Sequence, residues 1–510
     1  MRFESRKRLA LKAMAPAMLG MTLTCGAVAA WAADSSSPDL QTEVNELQQE
    51  VQQLKGELGQ IKAQQVVEVP ANPPPQTIGQ HVGQVGKDLS DLKTDLSTNL
   101  GIQVHGLVDT SYGYNTNQPN TNGGSKGGLN CCSSGGSLNQ YRAFDVNANG
   151  FELEQFNLHI ARTDTGGVGF VTDLNFGQVA NSIAASTRYS NSSLSLTSTS
   201  SSFFDPTQAY LTYTVPVGEG INLELGRFVT LLGAEVIPVY NNQNFNESRG
   251  LLFTLGEPLT HTGLRGTYAF NSNVSLTLGI NNGWDDVADN NDQPTVEGEL
   301  SLNPTSTTTL VLNGIYGAEQ IDRGNTQRWA IDPIATWHTP ITGLQLIGEY
   351  LFAEEGGPVS IVPQYSEQGN MFCESQASGT PFCTPAPGYT SGPNNTITTP
   401  NSVMWTGAAG YVVYDWTPQI EFALRGEWFR DSDGARSGLR QTLGEFTGTI
   451  NYKVPKVTGL LARLEYRLDQ SNEKPFFGNE VFPSTSNYAG LPTHTYAGQD
   501  TFMADAIYSF

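Results

Sequence analysis

The hydrophobic rhythm of the chain changes once, near residue 101. Before that point Leu40, Val44, Leu47, Val51, Leu54, Leu58 and Ile61 recur at alternating spacings of four and three, with polar residues between them. This heptad seam predicts a coiled-coil helix over 34–66, the plainer alternative being a single amphipathic helix on a protein surface. Val and Leu at the seam lean toward a dimer, without settling the number of chains. The run Val69-Pro70-Ala71-Asn72-Pro73-Pro74-Pro75 makes 67–80 a stiff, extended, Pro-rich linker. A second amphipathic helix is predicted over 81–100, from Val82, Val85, Leu89, Leu92, Leu96 and Leu100. From Gly101 to Phe510 the period is two.

In the first of these alternating stretches Ile102, Val104, Gly106, Val108, Thr110 and Tyr112 share one face, and Gln103, His105 and Asp109 the other. Further strands are predicted near 149–163, 167–177, 206–215, 221–229, 260–270, 273–281, 295–303, 308–317, 328–338, 343–354, 402–415, 418–430, 443–453, 458–469 and 500–510. The total is about sixteen, an even number of the size that leaves a water-filled lumen. Every second connection is short: 163–166, 216–220, 270–273, 303–308, 339–343, 415–418 and 453–459. Long ones lie between them, at 115–148, 178–205, 230–259, 355–401 and 470–499. A β-sandwich or propeller has no reason to sort its loops this way; a bacterial outer-membrane barrel does.

Composition narrows the class. No apolar run beyond the N-terminus reaches the roughly 20 residues of a membrane helix. A membrane protein without such helices must be a closed barrel, since every backbone polar group has to be paired in lipid. The net charge of −22 argues against a nucleic-acid partner. Residues 1–33 have the form of a signal peptide. Arg2, Arg6, Lys7 and Arg8 are its basic region, Leu9 to Ala30 is mostly small or apolar, and Ala30-Trp31-Ala32 and Ala27-Val28-Ala29 are cleavage candidates. The residues before Cys25 are a poor match to a lipidation signal. The expected fold is therefore an all-β, antiparallel transmembrane barrel of about 16 strands over 101–510, in the outer membrane of a Gram-negative cell. An N-terminal coiled-coil stalk would stand in the periplasm. Four cysteines, Cys131, Cys132, Cys373 and Cys383, would meet an oxidising compartment and allow three connectivities, of which Cys373–Cys383 is the simplest. The final strand places Phe502, Ala504, Ala506, Tyr508 and Phe510 on one face and resembles the signal read by the barrel-assembly machinery.

The stretch Arg227 to Arg265 interrupts the alternation with about thirty residues, too polar for a core and too apolar for a linker; long loops of this kind are usually functional. It is expected to fold into the lumen and narrow it, the alternative being an external loop packed on the rim. Glu235, Asn241, Asn244, Glu247 and Arg249 are its candidate pore-facing residues, with Arg227 and Arg265 of the neighbouring strands facing them. For Glu247 and Arg249 the alternative, pinning the loop to the wall, is the favoured reading. If aliphatic and aromatic residues face lipid, the lumen carries Asp109, Asp173, Glu224, Glu297, Glu299, Asp332, Glu349, Glu421, Glu427, Glu465 and Asp469. Against them stand Arg265, Arg425, Arg463 and Arg467. Such a lining predicts a mild cation preference, unless the charges pair across the barrel and only make it rigid.

From about Gly226 to Glu299 the chain resembles the outer-membrane β-barrel porin-2 family of OmpL-like bacterial porins. The resemblance rests on Gly233-x-Glu235, Asn246-x-Ser248-Arg249-Gly250-Leu251-Leu252-Phe253, Pro258-x-Thr260-His261-Thr262-Gly263-x-Arg265 and Asn281-Asn282-Gly283-Trp284-Asp285. It extends over the barrel from 101 to 510 and implies an outer-membrane channel, with no inherited catalytic or ligand-binding residues. Counted along the strands, 230–259 is the third outer loop, which general porins fold inward. The function expected is passive diffusion of ions and small polar solutes. The alternative is a structural anchor, with a plugged barrel and a stalk bound to peptidoglycan or an envelope partner. Outer-membrane lipid, lipopolysaccharide and a homo-oligomer, trimer first, are the other partners expected. No cofactor is implied. The acidic run Trp284 to Asp292 reads as a hydrated outer loop rather than a Ca²⁺ loop, since it lacks the glycine an EF-hand needs. Scattered His105, His159, His261 and His338 give no metal-ligand spacing, and no Ser-His-Asp grouping points to an enzyme.

Overall fold

The computed structural model describes residues 100–119, 139–142, 144–162, 167–186, 203–240, 244–361, 390–391, 397–399, 401–437, 439–479 and 495–510. The expected signal segment, coiled coil, linker and second helix, apart from Leu100, fall outside these residues, as do Cys131, Cys132, Cys373 and Cys383. Sixteen strands hydrogen-bond edge to edge into one closed antiparallel ring. Numbered in chain order they are β1 (Gln103–Asn115), β2 (Gly150–Arg162), β3 (Val168–Phe176), β4 (Phe204–Val215), β5 (Ile221–Val229), β6 (Thr260–Asn271), β7 (Val274–Asn281) and β8 (Thr295–Thr305). The second half is β9 (Thr308–Gln320), β10 (Arg323–His338), β11 (Leu344–Glu355), β12 (Val403–Asp415), β13 (Ile420–Asp431), β14 (Gln441–Lys453), β15 (Leu460–Ser471) and β16 (Gly498–Ser509). The ring closes where β1 meets β16: Leu107 pairs with Ser509 and Asn115 with Thr501. Beyond the last strand residue, Gly106 and Phe510 exchange both backbone hydrogen bonds, at 3.0 and 2.9 Å.

Alternation decides which way each side chain points. On β15, Leu464 is 62% exposed while Arg463 and Glu465 on either side of it are 3% and 4% exposed. The same holds on β13, where Leu424 and Trp428 face out and Arg425 and Glu427 face in. An apolar outside around a charged inside is the reverse of a water-soluble sheet and suits lipid. Exposed aromatics gather near both ends of the strands. Trp337, Trp416, Tyr452, Tyr508 and Phe510 lie toward one rim, and Tyr112, Phe151, Tyr316, Trp428 and Phe502 toward the other. Such paired girdles mark the two membrane–water interfaces. No helix among the described residues is long and apolar enough to cross a membrane.

At one rim the described connections are tight turns. Gly459, before β15, has φ +87°, and a Cβ there would meet the Ser509 carbonyl oxygen at 2.1 Å, so only glycine fits. The other rim carries the long connections, with one difference from the sequence reading. Alternation stops at 317 and resumes at 328, yet β9 and β10 run on and are joined by Ile321 and Asp322 alone. Their ladder continues to the Arg323–Gln320 pair, through polar residues that the hydrophobic pattern does not register. The connection after β3 holds a helix, α1 (Gln178–Ser186). Its Val179 and Ile183 cluster with Phe144, Ile237, Phe253 and Leu259. A larger cluster joins Leu232, Leu251, Leu252 and Leu255 to Trp284, Leu351, Trp405, Tyr411 and Phe429. The segment between β5 and β6 supplies residues to both clusters.

Replacing Leu464 with Arg, near the middle of the lipid-facing side of β15, is expected to destabilise the folded barrel by about 2–4 kcal/mol. Denaturant titration in lipid vesicles measures this. The polar substitution Thr449→Ser, on an inward position of β14, should cost far less.

Candidate channel constriction

The segment between β5 and β6 is closed at its neck by the Thr230 N–H donating to the Leu259 carbonyl at 3.1 Å. Its outgoing leg meets β10 and β11 first. The Gly233 N–H donates to Asp332 at 2.8 Å and the Ala234 N–H to Glu349 at 3.1 Å. Further on, the Pro238 carbonyl accepts from Gln155 of β2 at 2.9 Å. Tyr240 stacks on His105 of β1 with ring centroids 4.0 Å apart, and tilts toward His159 of β2 at 5.2 Å. The returning leg meets β13 to β15. Asn246 donates to Thr449 at 2.6 Å, and Glu465 accepts the Glu247 and Ser248 N–H groups at 2.6 and 3.0 Å. The Leu251 N–H donates to Glu427. A short π-helical turn, Leu252–Gly256, then brings the Gly256 carbonyl to the Trp405 indole N–H at 2.9 Å. In a ring of sixteen, β13 stands opposite β5, so these partners lie on the far wall from the segment's own strands.

Three buried arginines at inward positions carry most of the charge pairing on that wall. Arg425 pairs with Glu235 of the segment and with Glu445 at 2.8 Å, and donates to the Ser248 carbonyl at 2.7 Å. Arg463 pairs with Glu247 of the segment, with Asp505 at 2.6 Å and with Asp109 at 3.6 Å. Arg467 pairs with Asp469 at 2.7 Å and donates to the Arg249 carbonyl. Asp109, Glu247 and Asp505 are the one trio of potential metal ligands found within 4.8 Å of one another among the described residues, and the Arg463 guanidinium stands among them.

The partners expected for the loop acids are different. Arg227 pairs with Asp205 of β4 at 3.1 Å. Arg265 pairs with Glu297 of β8 at 3.0 Å and with Glu224 of β5 at 3.8 Å, and lies 4.0 Å over the Phe228 ring. Neither faces Glu235 or Glu247, because the segment is long enough to carry those acids to the opposite wall. Arg249 donates to the Asn246 and Glu247 carbonyls within its own segment. Asn244 clamps the two legs together, accepting from the Val236 N–H at 2.9 Å and donating to its carbonyl at 2.7 Å. Asn241 lies outside the described residues. Of the other expected lumen residues, Asp173 accepts from Gln208 at 2.7 Å and meets His159 at 2.9 Å. Glu299 is half-buried and has no ion pair.

Two features were not legible beforehand. Trp284 to Asn291 is not a hydrated loop. Trp284, Asp285, Asp286 and Asn290 are buried, and Asp285 accepts the Leu259 and Thr260 N–H groups at 2.6 and 2.9 Å, fixing the segment's exit. Glu257, within the same stretch as Glu235, is buried with its carboxyl group against that of Glu349. Burial, then the neighbouring Glu349 carboxylate, raises its pKa well above the usual carboxylate range. Its only sequence signal was its place in the interrupted stretch.

A closed ring with lipid-facing apolar residues, aromatic girdles and a charged interior defines a membrane-spanning β-barrel of the outer-membrane type. Over residues 101–510 the chain matches, and belongs to, the family described as "Putative beta-barrel porin-2, OmpL-like". No curated protein matches it. Among solved structures it is similar to the outer membrane channel DcaP of Acinetobacter baumannii, with 10% identity and TM-score 0.45, covering 80% of this chain and 97% of that one. It is also similar to an anion-selective porin from Comamonas acidovorans, with 10% identity and TM-score 0.44, covering 80% and 99%. OprB of Pseudomonas putida gives 10% identity and TM-score 0.43, covering 83% and 97%.

Arg425→Met leaves Glu235 buried without its cation and Glu445 with Arg467 alone, 3.4 Å away. The expected cost is about 3–5 kcal/mol, the range for breaking a buried ion pair. The loss should show as a lower unfolding midpoint and as protease cleavage within 230–259 of the folded barrel. Arg440→Met, whose parent arginine is exposed and 3.5 Å from Asp433, should change neither.

Proposed function

We propose that this porin is a passive diffusion channel for ions and small polar solutes, narrowed by segment 230–259 folded inward, with a mild preference for cations. The observation that carries the reading is the reach of that segment: its hydrogen bonds and ion pairs go to inward-facing side chains of strands opposite its own. A chain held there reduces the cross-section open to solutes, and selection follows from size and charge without energy coupling. The cation preference is supported by inward acids that form no close ion pair among the described residues, although Arg265 acts on Glu299 and Lys453 on Glu421 at longer range. Asp332, Glu349, Glu299 and Glu421 form no ion pair, whereas Arg265, Arg425, Arg463 and Arg467 are each paired with more than one acid. Acids left uncompensated in a narrow polar passage lower the energy of cations and raise that of anions.

The same reading takes outer-membrane lipid and lipopolysaccharide as the surroundings of the apolar face, and the barrel-assembly machinery as the reader of β16 through exposed Phe510. It takes a homo-oligomer, trimer first, as the assembly, and the periplasm as the place of the N-terminal stalk. A second reading has one observation in its favour. The cavity beside the segment, lined by Ala234, Glu235, Val236, Asn244, Phe245, Ile347 and Tyr411, measures about 110 Å³. That is room for several waters. A lumen plugged by the segment would suit an envelope anchor, with the stalk bound to peptidoglycan or another partner.

Single-channel recording in a planar bilayer with unequal salt on the two sides separates the two. Stepwise conductance with a reversal potential on the cation side is the expected outcome. Folded, heat-modifiable protein that never conducts would replace the channel with the anchor. In a conducting protein, Glu235→Gln with Glu247→Gln should move the reversal potential toward zero; an unchanged value would assign both acids to holding the segment.

A further inference from the structure

Protein interiors leave few voids larger than a water molecule, so an apolar hollow beside a constriction calls for an occupant. Here the hollow is the cavity of about 110 Å³ between segment 230–259 and strands β11 and β12. Its rigid side is the pair Ile347 and Tyr411, register neighbours across those strands. Ala234, Val236 and Phe245 of the segment make the other side. The remaining polar residues of the wall are already engaged. Glu235 pairs with Arg425 and accepts the Gly250 N–H at 2.7 Å, and Asn244 is bound to both backbone groups of Val236. The Asn451 amide donates to the Phe245 carbonyl at 2.8 Å, so the segment side is held in shape without a ligand. Ala234, Val236, Phe245 and Ile347 are only half-buried, which leaves the hollow open rather than sealed. Tyr411 is 5% exposed, and its hydroxyl has no hydrogen-bond partner among the described residues. A buried phenol ordinarily finds one. The largest charges acting on it are those of the acids Glu235, Glu427 and Glu349 and of one base, Arg425.

We propose that this hollow is a solute subsite of the constriction, which takes the apolar end of a small amine, a primary ammonium on a branched chain of about four carbons, with an N–H of the ammonium donating to the Tyr411 hydroxyl. The proposal rests on the channel reading and names a substrate class for it. Size sets the apolar end. A cavity of about 150 Å³ holds a benzene ring, and this one is smaller. Charge sets the head. Three acids against one base make the surroundings of the hydroxyl negative, which draws an ammonium group and repels a carboxylate. The hydroxyl oxygen, with its two lone pairs, is the acceptor that replaces a water of the ammonium. Burying the branched chain against Ala234, Val236, Phe245 and Ile347 supplies the affinity. Amines of this class pass by a bind-and-release step that inorganic cations lack.

The test uses the full-length protein and three probes: isobutylammonium, methylammonium and isovalerate. In a planar bilayer, isobutylammonium should interrupt the open-channel current in proportion to its concentration. Calorimetric titration of the protein in lipid nanodiscs, corrected with empty discs, should give the same affinity without requiring conduction. Methylammonium should bind about tenfold or more weakly, since it lacks the buried carbons, and isovalerate should not bind. Tyr411→Phe should weaken isobutylammonium about threefold to tenfold, the value of one hydrogen bond. Ile347→Trp, which fills the hollow, should abolish binding. Conduction without blockade or binding overturns the subsite and leaves the channel standing. Binding by a protein that never conducts overturns the substrate class together with the channel reading. Isovalerate or methylammonium binding as tightly as isobutylammonium also overturns the proposal. Should Ile347→Trp fail to fold, Tyr411→Phe, which keeps the ring, decides: an unchanged affinity there removes the hydroxyl and the proposal with it.

Discussion

In hydrocarbon no water is available to a backbone N–H or C=O, so each must find its partner within the chain. That constraint leaves a sheet one solution, which is to have no edge. Here the ring closes through β1 and β16, and even Phe510 is paired, with Gly106. Closure then divides the side chains. One face of every strand meets lipid and is apolar, and the other is shut inside with whatever charge the sequence placed at alternate positions. The interior chemistry of this protein follows from that division. Charges that would be solvated on a soluble sheet are crowded within a ring, and they must pair, take up protons or hold ions.

Pairing is organised by a few arginines. Arg425 and Arg463 each meet a carboxylate from the wall and one from segment 230–259, so the guanidinium that neutralises the lining also binds the segment. Arginine suits this task, since its planar fork serves several oxygens at once and stays charged when buried. The segment is further held by backbone groups. Its N–H groups at Gly233, Ala234, Glu247, Ser248 and Leu251 all go to wall carboxylates. Acids that receive backbone N–H groups need no arginine for orientation, and Asp332 and Glu349 are of this kind. Glu349 also meets the carboxyl group of Glu257, and no arginine, lysine or histidine among the described residues is ion-paired with these acids.

Much of the architecture was legible because its signals are local. A period of two survives in any strand long enough to span lipid, and short turns alternate with long connections whatever the loops contain. The predicted strands correspond one for one to β1 to β16, and the reading slipped only where polar residues continue a ladder past the apolar belt, at β9 and β10. The inward side of β15, with Arg463, Glu465 and Arg467, was readable from the same alternation. Family membership agrees with the motifs between Gly226 and Glu299. The candidate site was legible only as a list. Glu235, Glu247, Arg249 and Asn244 were singled out, but their contacts were not, and the arginines assigned to them by nearness in sequence serve other acids.

The sequence by itself determined the strands, their number, the side each residue faces and the stretch that breaks the pattern, because each depends on residues a few positions apart. Only the tertiary structure decided which charges meet. Glu235 reaches Arg425 across 190 positions and Glu247 reaches Arg463 across 216, contacts that exist because the ring closes and brings its far wall within reach of one segment. Glu257 shows the same limit from the other side. Nothing near it in the chain marks it, and its character comes from Asp332 and Glu349, strands away in sequence and its neighbours once the barrel is shut.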